Sequence, residues 1–257
     1  PWLTNNSNVN GTLAVLENSR LNNIEKVVYA ASSSAYGDSK VLPKEVSMNP
    51  LPLSPYAVQK LSGEMYCKTY FDNFGLRTTS LRYFNVYGPY QDPNSEYSAV
   101  IPIFIRRALA NEPIIIYGDG TTSRDFTFIE DVVECTVRCS YKPATKDVNF
   151  DGINPNPSTS FAPYRIFNIG NNKPINLLRF VNTIENKLGV KAVKEFYPPQ
   201  LGDVKNTYAD TSRINECINI YIYIYIYVYI YIYIYIYICI YTSYVVNMYI
   251  YIHTYIY

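Results

Sequence analysis

Apolar and polar positions in this chain follow two periods. Val9, Leu13, Leu16 and Arg20 lie close to helical spacing and predict a helix over about residues 8 to 20. Glu25-Lys26 lead into Val27-Val28-Tyr29-Ala30-Ala31, a short apolar run of the kind a buried parallel strand carries. The polar loop Ser32-Ser33-Ser34-Ala35-Tyr36-Gly37-Asp38 follows. A second helix is expected from Ser54-Pro55, because the serine hydroxyl can accept an orphan backbone N–H. Proline suits the first helical position, where a missing N–H costs nothing. In that helix Val58, Leu61 and Met65 are expected to face the core, and Gly75 to end it.

Residues 77–83 are rich in β formers, and Asn85-Val86-Tyr87-Gly88-Pro89 reads as a turn. Further on, the pattern predicts helices over 101–110, 131–140 and 176–188, and strands over 114–117, 165–169 and 191–196. Residues 151–164 carry Asp-Gly, Asn-Pro and Ala-Pro steps without periodicity and read as an exposed loop. Strands alternating with helices predict an α/β protein with a parallel sheet and crossover helices.

From Ile220 the pattern changes. Ile and Tyr alternate almost unbroken to Tyr241, and no Asp, Glu, Lys or Arg follows Glu216. Uncharged β formers in a run are an aggregation hazard. Tyrosine prefers the membrane interface to the bilayer core, which argues against a membrane span. Alternating A and T read in triplets encodes Ile-Tyr, so residues 218–257 read as a translated simple repeat outside the fold. The competing reading is a membrane-anchored or self-associating tail.

Composition narrows the function classes. The 257 residues carry a formal net charge of +1, which leaves no basic footprint for nucleic acid. Five cysteines form no Cys-x-x-Cys pair and there is one histidine, so no zinc site is expected and the thiols suit a reducing, cytoplasmic compartment. Pro1-Trp2-Leu3-Thr4 has neither the basic start nor the apolar run of a signal peptide, and the absent initiator methionine points to a cut N-terminus.

Tyr56 and Lys60, four apart in the second helix, share a face. A nearby ammonium favours phenolate, and a phenol so tuned can exchange protons with a sugar hydroxyl. Alone, that spacing more often describes a solvated surface pair. The serine-rich loop lies at the carboxyl end of a strand, where open α/β sheets place ligands, although a plain polar loop reads the same way.

The ordered set Ser32-Ser33-Ser34-x-Tyr36-Gly37, Tyr56-x-x-x-Lys60, Arg82-Tyr83-Phe84-Asn85-Val86-Tyr87-Gly88-Pro89, Tyr117-Gly118-Asp119-Gly120, Ser123-Arg124-Asp125-Phe126 and Gly202-Asp203-Val204 resembles the extended short-chain dehydrogenase/reductases. Among these it is most similar to nucleotide-sugar 4-epimerases of the UDP-N-acetylglucosamine and UDP-glucuronate type. The resemblance runs from about residue 5 to 215 and implies a Rossmann-type doubly wound sheet, formed by residues 1–90 and about 114–142. A smaller α/β substrate domain would take most of 91–217.

The resemblance also implies NAD as cofactor, a UDP-hexose as substrate and a homodimer paired through the Tyr56 helix and the helix before it. Tyr56 would be the acid/base. Lys60 would hold the nicotinamide ribose, and Ser32 the reacting hydroxyl, with Ser33 and Ser34 lining the same loop. Phe84 would lie by the nicotinamide, and Ser7 or Asn8 would be a further cofactor contact. Asn85 would contact the diphosphate, and Arg124 and Asp203 phosphate and ribose. The backbone around Ala99, Val100 and Tyr117 would frame the uracil. Thr207 would border the 2-substituent of the sugar, where a small residue leaves room for an N-acetyl group. Taken in isolation, Arg124 reads as a surface ion pair with Asp125, Asp203 as a turn residue, and Thr207 as a strand residue facing away.

Two departures stand out. The family's opening strand, Gly-x-x-Gly-x-x-Gly turn and helix have no counterpart among these residues, and the likeness stops near Cys217. The chain is therefore expected to be the middle of an enzyme and to be inactive by itself. A 4,6-dehydratase or decarboxylase would carry carboxylates where Ser33 and Ser34 stand, which favours the epimerase, while a 4-keto reductase and a non-catalytic fragment stay open.

Overall fold

The computed structural model describes residues 1–37, 39–91, 100–199 and 204–218. Asp38, Ala99, Asp203 and the Ile-Tyr tract lie outside the described residues. In chain order the elements are α1 (Trp2–Asn5), a π-helical turn (Asn6–Asn10), α2 (Gly11–Leu21), β1 (Lys26–Ser32), a 3₁₀ turn (Ser33–Tyr36), α3 (Pro55–Phe74), β2 (Arg77–Tyr83) and β3 (Val86–Tyr87). They continue with α4 (Val100–Leu109), β4 (Ile114–Tyr117), β5 (Ser123–Arg124), β6 (Thr127–Phe128), α5 (Ile129–Tyr141) and β7 (Tyr164–Ile169). The last are β8 (Ile175–Asn176), α6 (Leu177–Leu188), β9 (Lys194–Tyr197) and α7 (Ser212–Ile218). Residues 151–163 form no helix or strand, as their turn-rich sequence predicts, but the loop is not exposed throughout: Ser158, Thr159, Ser160 and Ala162 are buried where the Ile166 amide donates to the Ser158 carbonyl, and Tyr164 already begins β7.

The chain divides into two compact units. The first takes the described residues of Pro1–Val86, Thr122–Ile175 and Pro199–Ile222, the second those of Tyr87–Thr121 and Asn176–Pro198. In the first, β1, β2 and β7 form a parallel sheet in that order, with Lys26 opposite Arg77 and Thr78 opposite Tyr164. Successive side chains on a strand point to opposite faces. Tyr29, Ala31, Tyr164 and Ile166 pack on one face with Leu16 of α2 and Cys67 and Tyr70 of α3. Leu81, Phe167 and Ile169 pack on the other with Val132, Cys135 and Cys139 of α5 and Ile214 and Ile218 of α7. Helices on both faces of a parallel sheet make this a doubly wound α/β unit of Rossmann type.

Helix α3 begins as its sequence predicts. Ser54 is extended, its hydroxyl accepts from the Ala57 amide at 3.1 Å, and Gly75 closes the helix at φ 76°. The buried face is not the predicted one. Val58 and Met65 are 51% and 45% exposed, whereas Ala57, Gly63, Glu64, Cys67 and Tyr70 face the sheet. Two features outweigh the apolar stripe. A Cβ at Gly63 would sit 2.2 Å from the Tyr29 hydroxyl, so the glycine sets how closely α3 approaches β1. Glu64, polar by type, is buried because Arg82 on β2 meets it. The N-terminal helix also begins earlier than predicted, because α1 and the π turn run through Asn5, Asn6, Ser7 and Asn8, residues of weak helix propensity.

In the second unit, β4 pairs in parallel with β9, from Ile114 opposite Lys194 to Tyr117 opposite Tyr197. Ile114, Ile116, Phe180, Val181 and Ile184 are buried. Asn176 caps α6 by accepting from the amides of Leu178 and Arg179, and Gly189 ends it at φ 68°. The predicted strand over 191–196 starts later, at Lys194, because the buried Glu185 takes the Ala192 amide at 2.9 Å and the Lys194 ammonium at 2.6 Å.

Candidate active site

A cavity of about 460 Å³ opens in the first unit, where β1 and β2 end. Ligands in open α/β sheets sit at these carboxyl ends. The wall is built from Ala31 to Ser34 after β1, Ser54, Tyr56 and Ala57 at the start of α3, Tyr83 to Val86 after β2, and Arg124, Asn206 and Thr207. Lys44 and Arg124 are its cations, and no carboxylate stands among the described lining residues.

The serine loop is a short 3₁₀ turn, tied to itself. Ser34 donates to the Ser32 hydroxyl oxygen twice, from its amide at 3.2 Å and from its hydroxyl at 2.8 Å. Two acceptances leave the Ser32 proton to donate elsewhere. Beneath the turn, Tyr36 is buried; its hydroxyl donates to Asn168 Oδ1 at 2.6 Å and the Arg82 guanidinium lies 4.6 Å from its ring centre. Gly37 has φ 43°, and a Cβ there would meet the Leu51 carbonyl oxygen at 1.7 Å, so no other residue fits this turn without moving the chain.

Tyr56 lines the cavity and is 47% exposed. Lys60, one helical turn on, stands behind the wall. Its ammonium lies 4.9 Å from the centre of the Tyr29 ring, and Tyr29 donates to the Lys60 carbonyl at 3.3 Å. Burial holds the Lys60 ammonium below the usual lysine range, with Glu64 acting the other way. Ser7 is exposed in the π turn, outside the wall, its hydroxyl 3.4 Å from the Leu3 carbonyl.

Phe84 is fully buried against Tyr36, with ring centres 6.1 Å apart. Asn85 has φ 34°, a left-handed conformation that asparagine tolerates. Its Nδ2 donates to the Asp125 carbonyl at 3.1 Å and to the Thr207 hydroxyl at 3.0 Å. Thr207 also accepts from the Asp125 amide at 3.1 Å and lines the cavity, so it does not face away. Arg124 Nη1 donates to the carbonyls of Ser123 and Lys205, each at 3.0 Å.

Asp125 is not a surface partner of Arg124. It is fully buried and its carboxylate accepts from the amides of Asn171, Asn172 and Ala209 at 2.9 to 3.1 Å, with Lys173 at 3.5 Å. Burial pushes this carboxyl up, against the lowering effect of those amides. Asp125 thereby fixes the chain around Ala209 to the end of β7, and with it the segment bearing Thr207.

Val100, the first residue of α4, and Tyr117, the last of β4, belong to the second unit, where the Tyr117 ring lies 6.3 Å from that of Tyr197. Ala99 and Asp203 lie outside the described residues. No motif or spacing marked Lys44 or Asn206, which the structure sets in the cavity wall. Lys44 is buried by a backbone pairing with residues 208 to 210 that is distant in sequence. Among the described residues no group of three His, Cys, Asp or Glu could hold a metal, and no helix is long and apolar enough to cross a membrane.

Comparison with known proteins places this geometry. Protein CapI of Staphylococcus aureus is 42% identical over 205 residues, covering 79% of this chain and 60% of its own length. A UDP-glucuronate 4-epimerase of Thermodesulfobacterium geofontis is 35% identical, covering 85% of this chain and 61% of its own. Among solved structures, a UDP-N-acetylglucosamine 4-epimerase of Methanobrevibacter ruminantium M1, in complex with UDP-N-acetylmuramic acid, superposes with TM-score 0.79 at 32% identity, covering 92% of this chain and 69% of that one. A UDP-glucuronic acid 4-epimerase of Bacillus cereus, with UDP-glucuronic acid and NAD, gives TM-score 0.75 at 31% identity, covering 90% and 67%. The chain spans about three-fifths of the length of the curated relatives it matches. The model of the NAD dependent epimerase/dehydratase family matches residues 1–170, and the chain belongs to that family.

Proposed function

We propose that this protein takes part in epimerisation at C4 of a UDP-hexose through a 4-keto sugar, with NAD as cofactor. The observation that carries the reading is the cavity wall. Ser32, Tyr56 and the cations Lys44 and Arg124 stand in a lining without described carboxylates. Hydroxyls suit a sugar, and cations suit a diphosphate.

The residues present fit the nicotinamide end of NAD. Tyr56 in the wall offers a donor to a ribose, Lys60 stands one helical turn behind it, and Phe84, fully buried against Tyr36, backs the wall. NAD, when bound, supplies the reversible oxidation of the sugar carbon. The protein's own part is positioning and proton transfer. Ser32 donates its one unengaged proton to the sugar 4-oxygen and holds it in place. Tyr56 takes the proton from that oxygen as the ketone forms and returns it as the hydroxyl re-forms. Ser33 and Ser34 supply no carboxylate for chemistry at C5 or C6, which supports epimerisation over dehydration. Small Thr207 in the wall supports acceptance of a 2-acetamido sugar. A homodimer through α3 and the helix before it is the matching assembly, and exposed Val15, Val58 and Met65 support it.

The experiment is product analysis. The protein, fused behind a strand, glycine turn and helix that hold a dinucleotide pyrophosphate, is incubated with NAD and, in turn, UDP-N-acetylglucosamine, UDP-glucuronate and UDP-glucose, and the nucleotide sugars are separated. A 4-epimer of equal mass is expected from at least one of them. A product lighter by one water, or a net consumption of NAD, would contradict the reading.

A further inference from the structure

We infer that Tyr29 is the positioning residue of Lys60: its ring face seats the lysine ammonium, and its hydroxyl ties the backbone of the same residue. The inference takes its bearing on catalysis from the proposed NAD site, where Lys60 stands one helical turn behind Tyr56. Tyr29 lies in β1 and is buried in the core shared with Cys67 and Tyr70 of α3. The Lys60 ammonium is 4.9 Å from the centre of its ring. An aromatic face attracts a cation at that distance. The Tyr29 hydroxyl donates to the Lys60 carbonyl at 3.3 Å. One side chain of the sheet therefore holds both ends of one lysine of the helix.

The helix makes room for this contact. A Cβ at Gly63 would sit 2.2 Å from the Tyr29 hydroxyl oxygen and 2.4 Å from the ring carbon that bears it. Glycine is disfavoured inside a helix, and at this position it gives the ring the space to reach Lys60. Core packing alone asks only for an apolar side chain from β1. A cation seated on the ring is an additional feature, and the charges around it give it work to do. Burial holds the Lys60 ammonium below the usual lysine range, with Glu64 and then Cys67 of the same helix acting the other way. Glu64 is already committed to Arg82 of β2. Burial pushes the Cys67 thiol up to about 12, so it is uncharged at neutral pH. Burial pushes the Tyr29 phenol up as well, so β1 offers a neutral ring with a negative face. Seated on that face, the ammonium stays charged and stays in one place, where a ribose bound beside Tyr56 would meet it.

The test is trace acetylation of the full chain with acetic anhydride over a pH series, read at Lys60 by peptide mass spectrometry. Only the free amine reacts, so the midpoint of the curve reports proton affinity and its plateau reports access. Tyr29→Leu removes the ring and fills the core. It is expected to lower the proton affinity of Lys60 by about three- to tenfold, the size of one cation–π contact. Tyr29→Phe keeps the ring and removes the hydroxyl, so its midpoint is expected to stay with that of the unaltered chain. Tyr29→Met, flexible enough to fill the same space, serves the comparison if Tyr29→Leu fails to fold. A higher plateau at an unchanged midpoint would mean that the ring merely covers the lysine, and would overturn the inference. An equal fall in Tyr29→Phe and Tyr29→Leu would overturn it too, because the ring would then not be the seat. No nucleotide enters this measurement, so its failure leaves the UDP-sugar reading standing, and product analysis tests that reading by itself.

Discussion

Arg82 and Glu64 form a fully buried, two-pronged ion pair, with Nε and Nη2 of the arginine 2.9 and 2.7 Å from the two carboxylate oxygens. The pair joins α3 to β2, and the guanidinium also supports the ring of Tyr36 under the serine turn. Removing one partner leaves the other charge buried and alone. Glu64→Ala is therefore expected to cost about 3–5 kcal/mol in denaturant unfolding. A cost below about 1 kcal/mol would mean that the pair does not join helix to sheet.

Asp131 stands in the first turn of α5, and burial, with Glu130 beside it, pushes its carboxyl up to about 6. The unfolded chain releases this proton nearer the ordinary value of 3.8. Between those values the folded state binds more protons, so stability from this group falls as pH rises and the penalty is complete above about 6. Partial exposure and the helix N-terminus both soften it. Asp131→Asn is expected to gain up to about 1 kcal/mol at pH 7 and little at pH 4. Unfolding curves at the two pH values check this, and an equal effect at both would contradict it.

Local chemistry made part of this molecule legible. Ser54, Pro55 and Gly75 mark the ends of α3 because capping depends on neighbours in sequence, and Asn176 and Gly189 do the same for α6. The short apolar runs at 27–31 and 165–169 became strands of the parallel sheet. The face that α3 buries was not legible, because it is decided by Tyr29 reaching Gly63 and by Arg82 reaching Glu64, both contacts made across the fold. Asp125 misled for the same reason. In sequence it neighbours Arg124, but in space it gathers amides from residues 171 to 173 and 209. Tyr56 stands in the cavity wall, while the engaged amide of Asn85 could be seen only once Thr207, far along the chain, was in place.

A dinucleotide pyrophosphate is held by backbone N–H groups of a glycine turn at a helix N-terminus. These 257 residues contain no Gly-x-x-Gly-x-x-Gly run. NAD titrated against this chain is expected to bind weakly. Fusing the strand, glycine turn and following βα units of the Bacillus cereus relative ahead of Pro1 is expected to tighten it measurably. Tight binding by the unfused chain would show that its own residues suffice.

The central claim is that Tyr56 moves the proton at the sugar 4-oxygen, and turnover of Tyr56→Phe beside the unaltered sequence tests it most directly. Both are assayed in the fused form, with NAD and UDP-N-acetylglucosamine, by the rate of appearance of the 4-epimer. The substitution removes one hydroxyl and keeps the ring. The expected result is a fall in kcat of about 10²–10⁴, the range for losing a positioned acid/base, with little change in affinity for the UDP-sugar. Equal rates for the two proteins would contradict the account.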